Sequence, residues 1–489
     1  MERGIRERAS GWAPIAFFGL LFIGLAVFFL IAHPLYLFDT DDWWYAGQAR
    51  SAIPIWGIHN PTRVLPEILM PFATDLAVYL LFPLTGDYVG SVAILYGLLL
   101  AACITGYFAF WYALLRTRLG EQNRSLLFTA LAVLVHFWML NTQKTGNLHA
   151  FSANDVTCVF YYVIPSLLAS SLVLWLFVRE KTLCVRNVGR DALLIVAIYL
   201  AVFSNLFQSA IVACYALEKV ISHGIHCPRS QRSRMLQEDW AYWLILALFV
   251  LSMVYEKNGN RAHQIEAAGS GLQIKQTARH LLGMLPTVNK VYLATSMAVL
   301  IVAAGCALLS GTEAEARGHL CAMRAFFFCL LCVGSFVFLL CAKVGAGYIA
   351  HTRVLFGAIF YYNVMVMLSL AYLTRRFPRL LLFLPLALVL LFNEAVSDDR
   401  NFAEYNVNNY PARVCRAITN DVIRQVQEAD AAGGDVAQVC VPAYGGSNWP
   451  FGLYGKRYMP HTMYKHGLTS KRMVIDLIPD REMNDRYGL

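Results

Sequence analysis

The segment Phe38–Arg50, which reads FDTDDWWYAGQAR, decides how the rest of the chain is interpreted. It follows an apolar run, Ala13–Leu37, that is longer than the roughly 20 residues an α-helix needs to cross a bilayer. Its three carboxylates stand beside three aromatic residues, which favour the membrane–water interface. Closely spaced acids repel one another unless a cation or a proton neutralises them. The segment is therefore either a solvated loop with an aromatic belt or a catalytic carboxylate held at the membrane surface.

The composition predicts an all-α polytopic membrane protein. Of its 489 residues, 58% are hydrophobic and only 15% are charged, whereas soluble domains carry roughly 25% charged residues. The net charge of +9 is assigned to cytoplasmic loops, because no long basic tract or motif indicates a nucleic-acid partner. Three arginines in MERGIRERASGW precede the first apolar run. We expect an uncleaved first helix with a cytoplasmic N-terminus.

The distribution of basic residues predicts the topology. If Val64–Leu84 crossed the membrane, the basic loops RTRLGEQNR, REKTLCVRNVGR and HGIHCPRSQRSR would all lie outside. The positive-inside rule instead keeps this acid-containing run on the outer side. We therefore expect a periplasmic first loop, residues 38–84, with an amphipathic helical hairpin that lies along the membrane. Counting the remaining apolar runs gives about eleven spanning helices.

The chain divides at residue 392 into a transmembrane domain, 1–392, and a polar tail, 393–489. Pro411–Ala431 has the apolar spacing of an amphipathic helix, and Val436–Val441 and Met473–Ile478 have that of strands. The odd number of spans places this small α/β domain in the periplasm.

Most of the 12 cysteines lie in apolar runs, where small buried hydrophobic side chains are expected. Cys415 and Cys440 are both in the polar tail and could form a disulfide if that tail is exported. No Cys or His spacing indicates a metal site, so we predict no metal ligands. The possibility of a bound divalent cation is left open.

The motif DDWWYA carries a resemblance to a known family. Asp41, Asp42, Tyr45 and Ala46 match the acidic pair, two residues, Tyr-Ala pattern of the lipid A aminoarabinose and protein O-mannosyl transferases. These belong to the GT-C glycosyltransferases, integral membrane enzymes that use polyprenyl-phosphate-linked sugars. In size, helix number and external tail, the chain is most similar to the serotype-converting O-antigen glucosyltransferases. It departs from the related transferases in having Asp at the second acidic position, and in lacking a clear external DxD motif.

The resemblance implies an inverting transfer of a hexose, expected to be glucose, from undecaprenyl phosphate to an O-antigen or lipopolysaccharide glycan. The reaction would take place at the periplasmic face of the bacterial inner membrane, with no cofactor established. The implied partners are the lipid-linked donor, the glycan acceptor, membrane lipid, a flippase and a separate glucosyltransferase that loads the lipid.

An inverting transfer needs a carboxylate that accepts the proton of the acceptor hydroxyl. Asp41 is the candidate base, because it occupies the first position of the matched pair. Asp42 would orient the acceptor or raise the pKa of Asp41 through like charge, and Asp39 would instead cap the segment. Glu67 is a further candidate acid, or it pairs with Arg63.

The phosphate of the leaving group needs cations near the outer interface. Arg353, in GYIAHTRVLF, is the first candidate, and Lys343, Tyr348 and His351 accompany it. Arg63 is the second. Each could instead be an arginine that reaches the lipid headgroups from a helix end.

Candidate acceptor-binding residues occur in the outer loops and in the tail, where sugar rings could stack on aromatic groups or bind to charged ones. Solvated surface positions and ordinary packing are the alternatives for each. The candidates are Trp44, Tyr45, His149, Lys257, Arg261 and Trp449.

Two other functions fit a polytopic chain. An O-antigen polymerase would depend on external arginines more than on an acidic pair. A transporter or flippase of lipid-linked sugars would favour internal repeats and polar residues deep in its spans. Because the acids collect at the outer interface, the transferase is preferred.

Overall fold

The computed structural model describes residues 2–140, 147–180, 187–226, 237–267, 271–310, 313–396, 402–443 and 455–489. Helices dominate residues 2–396, as expected for chains whose backbone polar groups must be satisfied within the membrane. They are α1 (Glu2–Val27), α2 (Thr40–Gly47), α3 (Val64–Leu76), α4 (Phe82–Thr85), α5 (Tyr88–Leu119), α6 (Gln122–Trp138), α7 (Val156–Cys158), α8 (Ile164–Arg179), α9 (Val188–Val202), α10 (Leu206–His226), α11 (Trp240–Lys257), α12 (Asn260–Ala267), α13 (Ile274–Met284), α14 (Lys290–Leu309), α15 (Ala314–Val344), α16 (Thr352–Arg376) and α17 (Leu384–Val396).

Within the described residues, eight helical stretches are long and apolar enough to cross a membrane. Seven of them were predicted as spans; the eighth is Val64–Thr85. The predicted count of eleven also included α6, α9, α10 and α17, of which α6, α9 and α17 have 17, 15 and 13 residues. Most residues of Val156–Arg179 are buried within the protein, whereas most residues of Gly11–Ala32 are not. The core of the membrane domain therefore lies around α8.

The expected helical hairpin over residues 64–84 is wrong. Helices α3 and α4 are joined by a π-helical turn, Ala77–Leu81, and form one unbroken stretch with no reversal of direction. Pro71 lies inside α3 without ending it. Proline is tolerated in apolar helices where neighbouring helices satisfy the freed backbone groups. The stretch therefore has the length and composition of a membrane span.

Helix α5 shows how local sequence sets the boundaries of a span. The Asp87 carboxylate caps its N-terminus by accepting a hydrogen bond from the Gly90 N–H at 3.0 Å. Gly120 ends it with a left-handed backbone at φ 74°, a conformation that favours glycine. Near its middle, Gly97 allows α5 to approach the first span closely, since an added Cβ would lie 2.7 Å from the Phe29 carbonyl oxygen.

The tail forms a small α/β domain built on α18 (Ala412–Ala431), β1 (Val436–Pro442), α19 (Gly455–Lys465), β2 (Val474–Asp480) and α20 (Glu482–Tyr487). The two strands pair in parallel, from Val436 with Val474 to Pro442 with Asp480. Parallel neighbours require a crossover, and α19 lies within that connection. The predicted helix and both predicted strands are thus present.

The disulfide between Cys415 and Cys440 is not formed, and both thiols are free. Cys415 lies in the first turn of α18 and is buried, with its thiol 3.8 Å from the Tyr410 carbonyl oxygen. Cys440 lies on β1, where the Gln425 side chain accepts a hydrogen bond from its N–H at 2.8 Å. Each cysteine therefore serves as a packing residue of the α/β domain.

The α/β domain docks onto α2 through α19. The Thr462 hydroxyl donates a 2.6 Å hydrogen bond to the carbonyl oxygen of Trp43. At the end of α19, Lys465 forms a 3.0 Å ion pair with Asp75 on α3. These contacts hold the tail against both α2 and α3.

We expect Gly47→Ala to loosen this docking. A Cβ at position 47 would lie 2.1 Å from the Thr462 hydroxyl oxygen and 3.1 Å from its Cα, so α19 would have to shift. Overpacking of this kind costs about 1–3 kcal/mol. The measurement is the melting temperature of the purified protein in detergent. Gly106→Ala on α5 is the matched control because nothing lies within 4 Å of its added methyl group. Equal melting temperatures for the two variants would contradict the close packing of α2 and α19.

Candidate functional site

Asp42 anchors α2 to the rest of the membrane domain. It is fully buried, and its Oδ2 accepts the backbone N–H groups of Phe38 and Asp39 at 3.2 and 3.1 Å. Its Oδ1 accepts both the N–H and the hydroxyl of Thr157, at 2.8 and 2.7 Å. Four donors fill the acceptor sites of a carboxylate. Asp42, a candidate catalytic residue from the sequence, is therefore placed as a positioning residue.

Asp41, one residue earlier on α2, points away from the buried contacts of Asp42. Its side chain is open to solvent, yet protein surrounds it on several sides. Burial, and next the negative charge of Asp155, raise the pKa of Asp41, while Arg63 and Arg261 lower it. The expectation that Asp42 would raise this pKa is wrong, because the acid that acts on Asp41 is Asp155.

Asp39 joins α2 to the α/β domain. It stands at the N-cap position of α2, and its Oδ2 accepts the N–H of Val407 at 3.2 Å. Burial, and then the nearby Asp42, raise the pKa of Asp39. The capping position predicted for Asp39 is confirmed, and the second contact extends its role to the tail.

Arg63 and Arg261 both act electrostatically on Asp41. The Arg63 guanidinium lies 4.8 Å from the centre of the Tyr161 ring. Arg261, at the start of α12, donates a 2.8 Å hydrogen bond to the Tyr348 hydroxyl. Aromatic contacts hold a guanidinium in place without neutralising it. Both arginines therefore keep their charge available beside the Asp41 carboxylate.

Arg353 is the third cation of the site. It lies in the first turn of α16, 7% exposed, with its guanidinium 5.4 Å from the centre of the Tyr162 ring. Its Nη1 donates a 2.6 Å hydrogen bond to Asn154, while its buried Nε has no hydrogen-bond partner among the described residues. The three arginines all lie near enough to the Tyr162 hydroxyl to act on it electrostatically.

Glu67 ties α3 to the segment between α2 and α3 rather than facing the site. Its carboxylate pairs with Arg50 at 3.0 Å and accepts the Tyr161 hydroxyl at 2.9 Å. Arg50 also donates to the carbonyl oxygens of Asn60 and Pro61. The predicted alternative partner of Glu67 was Arg63, and the structure gives that place to Arg50. With both oxygens engaged, Glu67 is poorly placed to act as a second catalytic acid.

Three of the remaining candidates pack against other parts of the protein. His149 is 1% exposed and accepts the Phe151 N–H at 3.2 Å, so it does not line a groove for acceptors as predicted. Burial, followed by the charge of His33, lowers the pKa of His149 to about 3. Tyr45 contacts the Tyr161 ring, and Trp44 contacts a tyrosine of α19.

The other candidates differ in how they relate to the arginines. Tyr348 binds Arg261, as described above. His351 precedes α16 and is partly buried; burial and then Arg353 lower its pKa to about 4, so it is neutral at pH 7. Lys343 and Lys257 are exposed at helix ends. The candidate Trp449 lies outside the described residues.

Asp155 and Tyr162 belong to the candidate site, although sequence reasoning did not single them out as site residues. Asp155 caps α7 by accepting the Cys158 N–H, and an Asp before an apolar run is a recognisable capping signal. Tyr162, in contrast, lies within a continuous apolar run and has no distinguishing pattern. Among the described residues, no group of three or more His, Cys, Asp or Glu side chains could hold a metal ion.

No family model, no curated protein and no solved structure matches this chain. The residues of the site therefore carry the functional assignment.

Proposed function

We propose that this protein is an inverting glycosyltransferase that moves a hexose, glucose in the first instance, from undecaprenyl phosphate to an O-antigen or lipopolysaccharide glycan. The reaction would take place at the periplasmic face of the bacterial inner membrane, with the α/β domain on that side. The observation that supports this most is an open carboxylate, Asp41, beside Arg63 and Arg261, which lie with Arg353 around Tyr162. One group can take a proton while the others bind a phosphate.

In the proposed reaction, an acceptor hydroxyl oxygen attacks the anomeric carbon of the donor sugar. The new bond is the glycosidic C–O bond, and the bond that breaks joins the anomeric carbon to the phosphate oxygen. Asp41 accepts the hydroxyl proton, and polyprenyl phosphate departs with the bonding electron pair. Arg63, Arg261 and Arg353 stabilise the phosphate, whose negative charge increases as it leaves.

An apolar groove gives room for the lipid chain of the donor. Its volume is about 1260 Å³, and it lies between α6, α14, α16 and α17. On α16 it reaches Val366–Leu370, about 20 Å along the helix from Arg353 at 1.5 Å per residue. A long polyprenyl chain can cover that distance with its phosphate at the arginines.

Mass spectrometry of surface glycans, from cells with and without this chain, tests the proposal. The expected result is an added hexose branch on each repeat. The arginine cluster also suits an O-antigen polymerase, the second candidate, which would change the chain length instead. Lost surface glycan with trapped lipid-linked sugar would indicate a flippase. A changed chain length or trapped lipid-linked sugar would overturn the proposal that this protein is a transferase.

We expect Arg261→Gln to raise the KM for the lipid-linked donor by about 10-fold or more, since a hydrogen bond to a charged group contributes about 1.5–3 kcal/mol. The measurement is steady-state transfer by the protein in lipid vesicles. Arg279→Gln is the matched control because Arg279 is exposed on α13 in the same outer loop. An unchanged KM in Arg261→Gln would remove Arg261 from the phosphate site.

A further inference from the structure

A second cavity lies away from Asp41, where the first span meets the α/β domain. Its volume is about 560 Å³. One wall is apolar and comes from Ile31 and Ala32, at the end of the first span. Arg413 and Arg416, on the first turns of α18, form a basic wall. The cavity therefore joins a membrane-facing surface to a positively charged one.

The basic wall carries unneutralised charge. Arg413 is exposed and forms no ion pair or hydrogen bond within the described chain. Arg416 is shared between Asp87, which it pairs with, and the ring of Tyr36 at 5.8 Å. No side chain caps the start of α18, so the positive end of its dipole opens on the same side. Because Asp87 neutralises Arg416, the positive charge that could hold an anion here comes from Arg413 and the start of α18.

One acid also lines the cavity. The Oε2 of Glu404 is buried and lies 3.7 Å from the His33 Nδ1, and it accepts no hydrogen bond within the described residues. Because Asp87 already balances Arg416, this one carboxylate faces the charge of Arg413 and the positive end of α18. Glu404 can also accept hydrogen bonds from the hydroxyl groups of a polar headgroup.

The apolar wall limits what can occupy the cavity. Ile31 is 74% exposed and lies in the last turns of the first span. A soluble anion would leave this surface uncovered, whereas the acyl chains of a lipid would cover it. We propose that the cavity binds the phosphate headgroup of an anionic membrane lipid, whose chains lie along the first span at Ile31. This site is separate from the one that holds Asp41.

Such a lipid would stabilise the position of the α/β domain on the membrane. Helix α18 contacts the segment before α2 through the Thr419 hydroxyl, which donates to the Leu37 carbonyl oxygen at 3.3 Å. A lipid held between α18 and the first span would therefore restrain α2 as well.

Native mass spectrometry of the detergent-purified full chain, titrated with phosphatidylglycerol, tests this inference. We expect one tightly bound phosphatidylglycerol in the unmodified protein, with binding at least 10-fold weaker in Arg413→Gln and restored in Arg413→Lys. Arg424→Gln is the matched control, since Arg424 is on the same helix and pairs with Asp421 and Glu428. Because Arg413 has no protein partner, its variants should keep their melting temperature.

Two competition experiments distinguish a lipid phosphate from a soluble phosphate as the ligand. Phosphatidylcholine, which is zwitterionic, should not displace the bound phosphatidylglycerol at equal concentration, and neither should inorganic phosphate. Displacement by inorganic phosphate would show a soluble-anion site and overturn the inference. Equal binding of phosphatidylglycerol by the unmodified protein and by Arg413→Gln would overturn it too.

Discussion

Replacing Asp41 by Asn should reduce hexose transfer by about 10²–10⁴-fold, the range expected for loss of a general base. The variant should fold and insert normally, because the Asp41 side chain is open to solvent and α2 is held by Asp42 instead. The measurement is transfer from polyprenyl-phosphate hexose in vesicles, together with the melting temperature. Glu428→Gln, an exposed acid on α18, serves as the control for removing one negative charge.

The pH dependence gives this prediction a second readout. Only the deprotonated carboxylate can accept the proton, so the rate should fall as the pH drops through the raised pKa of Asp41. Removing the charge of Asp155 takes away one cause of that raised pKa. Asp155→Asn should therefore shift the acid side of the pH–rate profile to lower pH. The Asn side chain can still cap α7. An Asp41→Asn variant with full activity would exclude Asp41 as the base.

Replacing Asp42 by Ala should instead prevent stable folding. Four buried donors, from Phe38, Asp39 and Thr157, would lose their acceptor. Each unsatisfied donor costs about 1–3 kcal/mol, which gives a total of about 4 kcal/mol or more. Whole domains are stable by only about 5–15 kcal/mol. The measurement is the yield of monodisperse protein by size-exclusion chromatography and its melting temperature.

Asp42→Asn is the milder comparison, since one amide oxygen can still accept the two Thr157 bonds. It should therefore recover part of the folded yield. If Asp42→Ala kept the normal melting temperature but lost transfer, Asp42 would belong to the chemistry rather than to the scaffold.

Local patterns in the sequence were sufficient to predict many of the helices and strands. The run Tyr88–Leu115 indicated a span that the structure has as α5, because membrane length and flanking charge are local properties. The amphipathic spacing of Pro411–Ala431 likewise indicated α18. The proline-containing run after Arg63 was misjudged as a hairpin, because backbone groups freed by Pro71 can be satisfied by contacts that the sequence does not show.

The roles of neighbouring acids could not be read from the sequence. Asp41 and Asp42 have the same chemistry, but successive helical residues point about 100° apart. Asp42 is buried and Asp41 is open because Thr157, 115 positions after Asp42 in the chain, donates its hydrogen bonds to Asp42. The choice of Arg50 over Arg63 as the partner of Glu67 similarly depends on how the chain between α2 and α3 folds back on itself.

The contact between the Thr462 hydroxyl and Trp43 has a consequence for biogenesis. The two residues are 419 positions apart, so a ribosome adding about 5–20 residues per second needs tens of seconds between them. During that time α2 has been made but lacks the helix that covers it. The nascent protein therefore carries its candidate catalytic acid on a helix that Thr157 already holds but that α19 does not yet cover.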